Sequence, residues 1–172
     1  MTVPDRETDL YAALDAMGIA HRTEEHEAVF TVAQSAPVKA RLPGGHSKTL
    51  LVTDRDRLFL LVALGSLRVD LKGVGRALGA RGRLSFVKPD RLLDSLGVTP
   101  GSVTPFALIN DEEREISEVV LDTNLMAHDP VWFHPLRNTA STALSPGDLE
   151  RFCERHARSV RRLDLASPEG GS

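Results

Sequence analysis

The sequence predicts a single-domain α/β fold, because helical and strand patterns alternate along it. Apolar residues recur at helical spacing from Leu10 to Met17 and again from Leu149 to Cys153. Short apolar runs such as Leu58 to Leu64 have the length and composition of buried strands. No Pro/Gly/Ser-rich linker divides the 172 residues, and 41% of them are hydrophobic, which is enough for one sizeable core. We predict one domain over residues 1–166 and a disordered tail over 167–172.

The N-terminal half predicts two helices, a short strand and a hairpin. In order, these are a helix from Leu10 ended by Gly18, a strand at Ile19–Thr23, a helix capped by Thr31 and stopped before Pro37, and strands Thr49–Thr53 and Leu58–Leu64 joined by the charged turn Asp54–Arg57.

The C-terminal half predicts three helices and several strands. In order, these are a helix from Asp70 to Gly79, a strand at Leu84–Phe86, a helix capped by Asp90 and ended by Gly97, an antiparallel strand pair at Phe106–Ile109 and Ile116–Leu121, and a helix opened by Ser145 whose core stripe extends from Leu149 to Leu163.

Composition excludes several classes of protein. The single cysteine, Cys153, excludes an intramolecular disulfide and a multi-cysteine zinc site, and we expect it to be buried packing. No apolar run reaches membrane-spanning length and the N-terminus lacks a signal-peptide core, so the expected location is the cytoplasm. His21 and His26 lack the spacing of a zinc-protease pair and are interpreted as surface histidines. We expect no metal or other cofactor.

The net charge of -3 argues against nonspecific coating of nucleic acid, but positive charge is concentrated locally. A basic stretch contains Lys72, Arg76, Arg81, Arg83 and Lys88. It could contact phosphates, or it could be an ordinary solvated face.

A first candidate site lies where Gly44-Gly-His-Ser-Lys48 leads into an apolar strand. Lys48 therefore stands at the mouth of a core strand, where partial desolvation would lower its pKa and direct it to a substrate oxygen. A strand-end lysine that reaches back into water is the alternative.

The second and third candidates are proline-containing bends next to strands. The stretch Leu96–Asp111 contains Gly101, between Pro100 and Pro105, and its successive N–H groups could hold an anion or a developing oxyanion. In Val131–Leu144, His134 and Asn138 flank a bend rigidified by proline, where the histidine could act as a general acid or base or be structural.

Together, and in this order, these three stretches resemble the YbaK/prolyl-tRNA-synthetase editing-domain superfamily. The sequence is most similar to its free-standing alanyl-tRNA(Pro) deacylases, ProXp-ala. The likeness extends from about Leu10 to Leu163, and is supported by Glu27-Ala-Val-Phe-Thr31 and Leu64-Gly-Ser-Leu-Arg-Val-Asp-Leu-Lys72. It implies a single-domain mixed α/β fold with a curved, partly barrel-like sheet and surrounding helices.

The resemblance also implies an activity and a set of site residues. The activity is hydrolysis of the ester that joins a wrong amino acid, here alanine, to tRNA(Pro). The implied catalytic residues are Lys48, Gly101, Ser102 and His134; the implied substrate-binding residues are Phe30, His46, Thr49, Val103, Thr104, Pro105 and Asn138. Family members often have asparagine where Thr49 stands, so seryl, threonyl and cysteinyl esters remain open as substrates.

Mischarged tRNA(Pro) is the expected partner, with prolyl-tRNA synthetase as a further one, and we expect a monomer that does not bind membranes. The tRNA would contact the basic stretch from Lys72 to Lys88, although the arginines between Arg151 and Arg162 are a second candidate surface. A binding module for the tRNA acceptor end without catalysis is an alternative function. A metal hydrolase using His46 and His134 is another.

Overall fold

The structure is a computed structural model that describes residues 6–28 and 32–168, with the backbone alone at 32–35. The strands in these ranges are β1 (Arg22–Glu25), β2 (Gly45–Thr53), β3 (Leu58–Leu64), β4 (Ser85–Phe86), β5 (Ile116–Asp122), β6 (Val131–Phe133), β7 (Ala140–Leu144) and β8 (Val160–Leu163). The helices are α1 (Glu7–Ala16), α2 (Val32–Arg41), α3 (Leu71–Ala77), α4 (Pro89–Leu96), α5 (Thr123–Met126) and α6 (Pro146–His156), with 3₁₀ helices at Pro100–Ser102 and Pro105–Asn110.

The strands form one open, mixed sheet in the order β1-β7-β6-β2-β3-β5-β8, and β4 pairs with β2. β2 and β3 are antiparallel, whereas β2 pairs with β6, β3 with β5 and β5 with β8 in parallel. The predicted mixed α/β class is confirmed. Among the described residues, no helix is both long enough and apolar enough to span a bilayer.

Helices cover both faces of the central strand β3, which is why its sequence is apolar throughout. Leu58, Leu60 and Val62 join a core that includes α1, α4 and α6. The alternate residues Phe59 and Leu61 join a second core with α3. Because successive side chains of a strand point to opposite faces, burial of both faces requires an unbroken apolar run.

Several predicted local features are confirmed. The hairpin joins β2 to β3. The Asp70 carboxylate accepts the Gly73 N–H at 3.0 Å, and the Ser145 hydroxyl accepts the Asp148 N–H at 3.2 Å, so both residues cap helices as expected. Cys153 is fully buried in the core.

The predicted strand at Phe106–Ile109 is wrong, since these residues belong to the 3₁₀ helix Pro105–Asn110. Thr104 begins this helix by accepting the Phe106 N–H, and Pro105 occupies its first position. Strand β5 therefore pairs in parallel with β3 rather than with this segment. A short apolar run has no periodicity that separates a buried strand from a buried helix.

Several element boundaries also differ from prediction. β2 begins at Gly45, four residues before the predicted strand, so Lys48 lies within the strand and not at its mouth. α2 continues through Pro37 to Arg41, because proline removes one hydrogen bond without preventing further turns. α4 begins after Lys88 with Pro89 at its first position, so Asp90 is in the first turn instead of capping the helix. α6 ends at His156, and the apolar residues predicted to extend it form β8; the predicted strand Ile19–Thr23 is shifted to β1.

Two predictions fall partly outside the described residues. Thr31, predicted to cap α2, lies outside them, as do residues 169–172 of the predicted tail. Within the part of the tail that is described, the Ser167 N–H donates to Asp164 at 3.2 Å.

Candidate active site

A cavity of about 330 Å³ lies where β2, the Pro100–Val103 loop and the β6–β7 connection meet. Of the residues predicted for the site, His46, Lys48, Thr49, Gly101, Val103 and His134 line it. They come from three separated stretches of the chain, and the fold brings them together.

Lys48 is on β2, opposite Ala63 of β3, and its side chain is half-buried. Its ammonium group donates to the carbonyl of Leu67, in the loop that follows β3. Burial lowers the pKa of Lys48, and the nearby cation Lys39 acts in the same direction, while the charge of Asp122 opposes them. The predicted desolvation of this lysine is therefore present in the structure.

The loop beside the cavity is shaped by its two prolines and one helical turn. Ser102 donates its N–H to Thr99 at 2.9 Å and is buried. Gly101, one residue earlier, is exposed to the cavity and is the second residue of the turn, a position whose N–H has no partner within a helix. Gly101 therefore brings a backbone N–H without a helical partner to the cavity wall.

Three further predicted residues are buried and do not line the cavity; they are Ser102, Thr104 and Pro105. Asn138 lies in the β6–β7 bend but is also absent from the lining. Phe30 lies outside the described residues.

His134 begins the bend between β6 and β7. Its Nδ1 lies 3.0 Å from the Ala140 carbonyl, which can only accept, so Nδ1 carries the proton. Burial lowers the pKa of His134, and the charge of His26 does so too, whereas the bond to Ala140 opposes them. Because the neutral form is favoured, its Nε2 can act as an acceptor.

The bend that carries His134 is fixed by ion pairs. Leu136 has φ 70°, a left-handed conformation that costs energy for a leucine. The next residue, Arg137, bonds Glu7 of α1 at 2.8 Å and Glu25 of β1 at 2.6 Å. These contacts hold the bend against both the first helix and the edge strand.

His46 lines the cavity and is held by two neighbours. Its Nε2 donates to the Leu42 carbonyl at 2.6 Å, and its ring is stacked on Trp132 at 6.2 Å with an interplanar angle of 8°. Burial lowers the pKa of His46. Among the described residues, no group of three or more His, Cys, Asp or Glu side chains is arranged to hold a metal ion.

Sequence reasoning missed four polar residues of the cavity, which are His26, Lys39, Ser47 and Ser141. His26 was expected on the surface, but it lies beside His134 with ring centroids 6.3 Å apart. No local pattern marks it, because the pairing of β1 with β7 brings it there. Ser141 is the second residue of β7, after the bend, and polar residues where a strand starts were its only signal in the sequence.

The predicted basic stretch borders a second cavity of about 750 Å³, which we call the basic groove. Lys72, Arg76 and Arg83 line it together with Phe86, whose side chain is 60% exposed. Arg81 instead pairs with Asp56 at 3.0 Å, and Lys88 precedes α4. On the alternative surface, Arg161 and Arg162 are in β8, not on the last helix, and pair with Glu118 and Glu150.

The fold is shared with solved structures, and a comparison of sequences assigns the class of domain. A model of the aminoacyl-tRNA editing domain family matches residues 26–152, and the chain belongs to that family.

Relatives of this chain are found in bacteria and in animals. It is 32% identical over 163 residues to the prolyl-tRNA editing protein ProX of Acetoanaerobium sticklandii, covering 94% of this chain and 98% of that protein. It is 33% identical over 149 residues to the prolyl-tRNA synthetase associated domain-containing protein 1 of Mus musculus, covering 84% and 87%. A solved structure described as a candidate trans-editing enzyme for prolyl-tRNA synthetase shares the fold with a TM-score of 0.71, at 20% identity, over 92% of this chain and 96% of that one.

Proposed function

We propose that the chain is a trans-editing deacylase that hydrolyses Ala-tRNA(Pro) to alanine and free tRNA(Pro). The observation that carries the proposal is that Lys48, Gly101 and His134 line one small cavity. The names of the relatives, which refer to prolyl-tRNA editing, support tRNA(Pro) as the carrier.

The chemistry needed is modest, because an aminoacyl ester is already activated. Water adds to the ester carbonyl, and the resulting oxyanion collapses with cleavage of the bond to the ribose oxygen, which takes up a proton. Lys48 would orient the ester or the terminal ribose, and the Gly101 N–H would stabilise the oxyanion. The neighbouring 2′-hydroxyl of the substrate would help to position the water, and His134 would hold the amino-acid or ribose end.

A small cavity suits the task of editing. A site built for proline excludes the smaller alanine poorly, since each missing methylene is worth only about 1–3 kcal/mol. A second, hydrolytic pocket separates alanine from proline by admitting only the smaller residue and cleaving its ester. Thr49 is a buried lining residue and stands where relatives of this type often have asparagine, so seryl, threonyl or cysteinyl esters are the alternative substrates.

The groove lined by Lys72, Arg76 and Arg83 is the surface we propose for the tRNA acceptor stem. Its cations match phosphates, and the exposed Phe86 ring offers a face on which a base can stack.

The test is release of labelled amino acid from Ala-tRNA(Pro), with Pro-tRNA(Pro), Ser-tRNA(Pro) and Ala-tRNA(Ala) alongside. The wild type should release alanine from tRNA(Pro) alone. The substitution Lys48→Ala should lower the rate roughly 100-fold or more, as misplacement of a bound substrate by about 1 Å does.

Two controls separate the alternatives. The unfolding free energy of the Lys48→Ala protein shows whether it is folded, and activity that survives a chelator argues against a metal hydrolase. Wild-type binding of tRNA without release of any amino acid would contradict the proposal and favour a binding module. An unchanged rate in the folded variant would contradict the role of Lys48.

A further inference from the structure

We infer that Ser141 accepts a hydrogen bond from the α-amino group of the bound aminoacyl ester, and that His26 positions the Ser141 hydroxyl for this purpose. The inference rests on the proposed function, because it assigns a protein partner to one group of that substrate. Neither residue belongs to the set that the sequence predicted.

The backbone fixes the two side chains beside each other. Ser141 is the second residue of β7 and pairs with Glu24 of β1. The pairing continues past the end of β1, where the His26 N–H donates to the Thr139 carbonyl at 2.9 Å. His26 thus follows an edge strand whose register is set by the strand that carries Ser141.

The hydrogen bonds of His26 determine which way the serine hydroxyl points. His26 Nδ1 lies 2.8 Å from the Glu27 carbonyl, which can only accept, so Nδ1 carries a proton. In the neutral ring Nε2 is then an acceptor, and Ser141 Oγ lies 2.9 Å from it. With the His26 ring neutral, the serine proton is directed to its Nε2, which leaves the Oγ lone pairs for the cavity.

His134 adds a second acceptor to the same wall. Its Nδ1 proton is used by the Ala140 carbonyl, so its Nε2 is an acceptor in the neutral ring. The His134 ring and the His26 ring are 6.3 Å apart, and His26, His134 and Ser141 all line the cavity.

The remaining charges of the cavity favour the same orientation. Lys39 and Lys48 line it, and its described lining includes no Asp or Glu. The two lysines attract the carbonyl and ribose oxygens of an ester and repel its protonated amino group. Ser47, the other serine of the lining, precedes Lys48 on β2, and its hydroxyl donates to the Trp132 carbonyl at 2.6 Å.

The experiment compares two esters of tRNA(Pro). One is alanyl, and the other is propionyl, in which hydrogen replaces the α-amino group. We expect Ser141→Ala to lower kcat/KM for the alanyl ester roughly tenfold, as loss of a hydrogen bond to a charged group does, and to change the value for the propionyl ester less than about twofold. Ser141→Thr, which keeps the hydroxyl, should retain the wild-type ratio of the two values.

The role of His26 is tested by combining substitutions. His26→Ala should lower the same ratio, and the double variant with Ser141→Ala should lose no more than Ser141→Ala alone, because His26 acts through the hydroxyl. Additive losses would contradict that role. Ser95→Ala removes another buried serine, on α4 and outside the cavity lining, and should leave the ratio unchanged.

The outcomes distinguish this inference from the proposed function. A wild type that hydrolyses neither ester overturns both. Hydrolysis by the wild type with an unchanged ratio in Ser141→Ala overturns the inference alone. Loss of turnover on both esters in a Ser141→Ala protein whose unfolding free energy shows it to be folded also overturns it, since the hydroxyl would then act on the ester and not on the amino group.

Discussion

Strand β2 holds the charged side chain of Lys48, and the turn after it holds that of Asp54, but only the lysine has hydrogen-bonding capacity to spare. Lys48 is the fourth residue of the strand and is half-buried; its ammonium has three donors, and within the described residues it has one hydrogen bond, to Leu67. Just past the C-terminal end, the Asp54 carboxylate accepts from the N–H groups of Asp56, Arg57 and Arg81 and from the Arg57 guanidinium.

Both groups have displaced pKa values, for different reasons. Burial lowers the pKa of Lys48. Burial alone would raise the pKa of Asp54, but the N–H groups of Arg81, Arg57 and Asp56 together with the Arg57 guanidinium hold it well below its usual range. A displaced pKa therefore does not by itself mark a reactive group. Unused donors that face a cavity distinguish Lys48 from a carboxylate whose bonds are complete.

The largest expected effect is the loss of stability on removal of the Asp54 carboxylate. Asp54→Ala leaves several N–H donors without their acceptor, so we expect the free energy of unfolding to fall by about 3 kcal/mol or more in urea titration. Asp56→Ala is the matched control, because the Asp56–Arg81 pair is exposed and should be worth less than about 1 kcal/mol. Similar losses in the two variants would show that Asp54 is not the structural centre of this turn.

The sequence was enough to identify Lys48 as a candidate site residue, but it did not reveal the structural role of Asp54. Lys48 was found because glycines and an apolar strand surround it in sequence. Asp54 was expected to be only part of a charged turn, since its partner Arg81 is 27 residues away and the contact depends on how the chain returns past the hairpin.

The same limit explains the cavity residues that were missed. His26 and Ser141 are 115 residues apart, and only the antiparallel pairing of β1 and β7 makes them neighbours. Within the Pro100–Pro105 loop, sequence identified the residues but not their division of roles. Gly101 lines the cavity, while Ser102 and Thr104 are buried and the Thr104 hydroxyl accepts the Phe106 N–H.

A weaker effect is expected from substitutions in the basic groove, which is connected to Asp54 through the segment Arg81–Arg83. Asp54 holds the Arg81 N–H at 2.9 Å, and Arg83 follows two residues later. Replacing both Lys72 and Arg83 with alanine should raise KM for tRNA about tenfold with little change in kcat, and should reduce the slope of log affinity against log salt by about two.

The alternative tRNA surface provides the matched control for that double variant. Arg155→Ala with Arg158→Ala removes the same charge from the end of α6 and the segment after it. If this control raises KM and the groove variant does not, the acceptor stem lies against α6 instead of the groove.

The smallest expected effect is that of histidine protonation on the free energy of unfolding. A comparison of His134 with His156 separates this effect from catalysis. Burial lowers the pKa of His134 and also that of His156 on α6. Below an ordinary histidine pKa of about 6.5, the unfolded chain binds more protons than the folded one, so stability should fall as the pH decreases from about 7. His134→Asn and His156→Asn should each reduce this dependence in urea titrations across that range, since asparagine does not titrate.

Only His134→Asn should also lower deacylation, because His156 is packed against Phe152 away from the cavity lining. Stability curves parallel to the wild type would contradict the assignment of a lowered pKa, and equal deacylation in the two variants would contradict the role of His134 in the site.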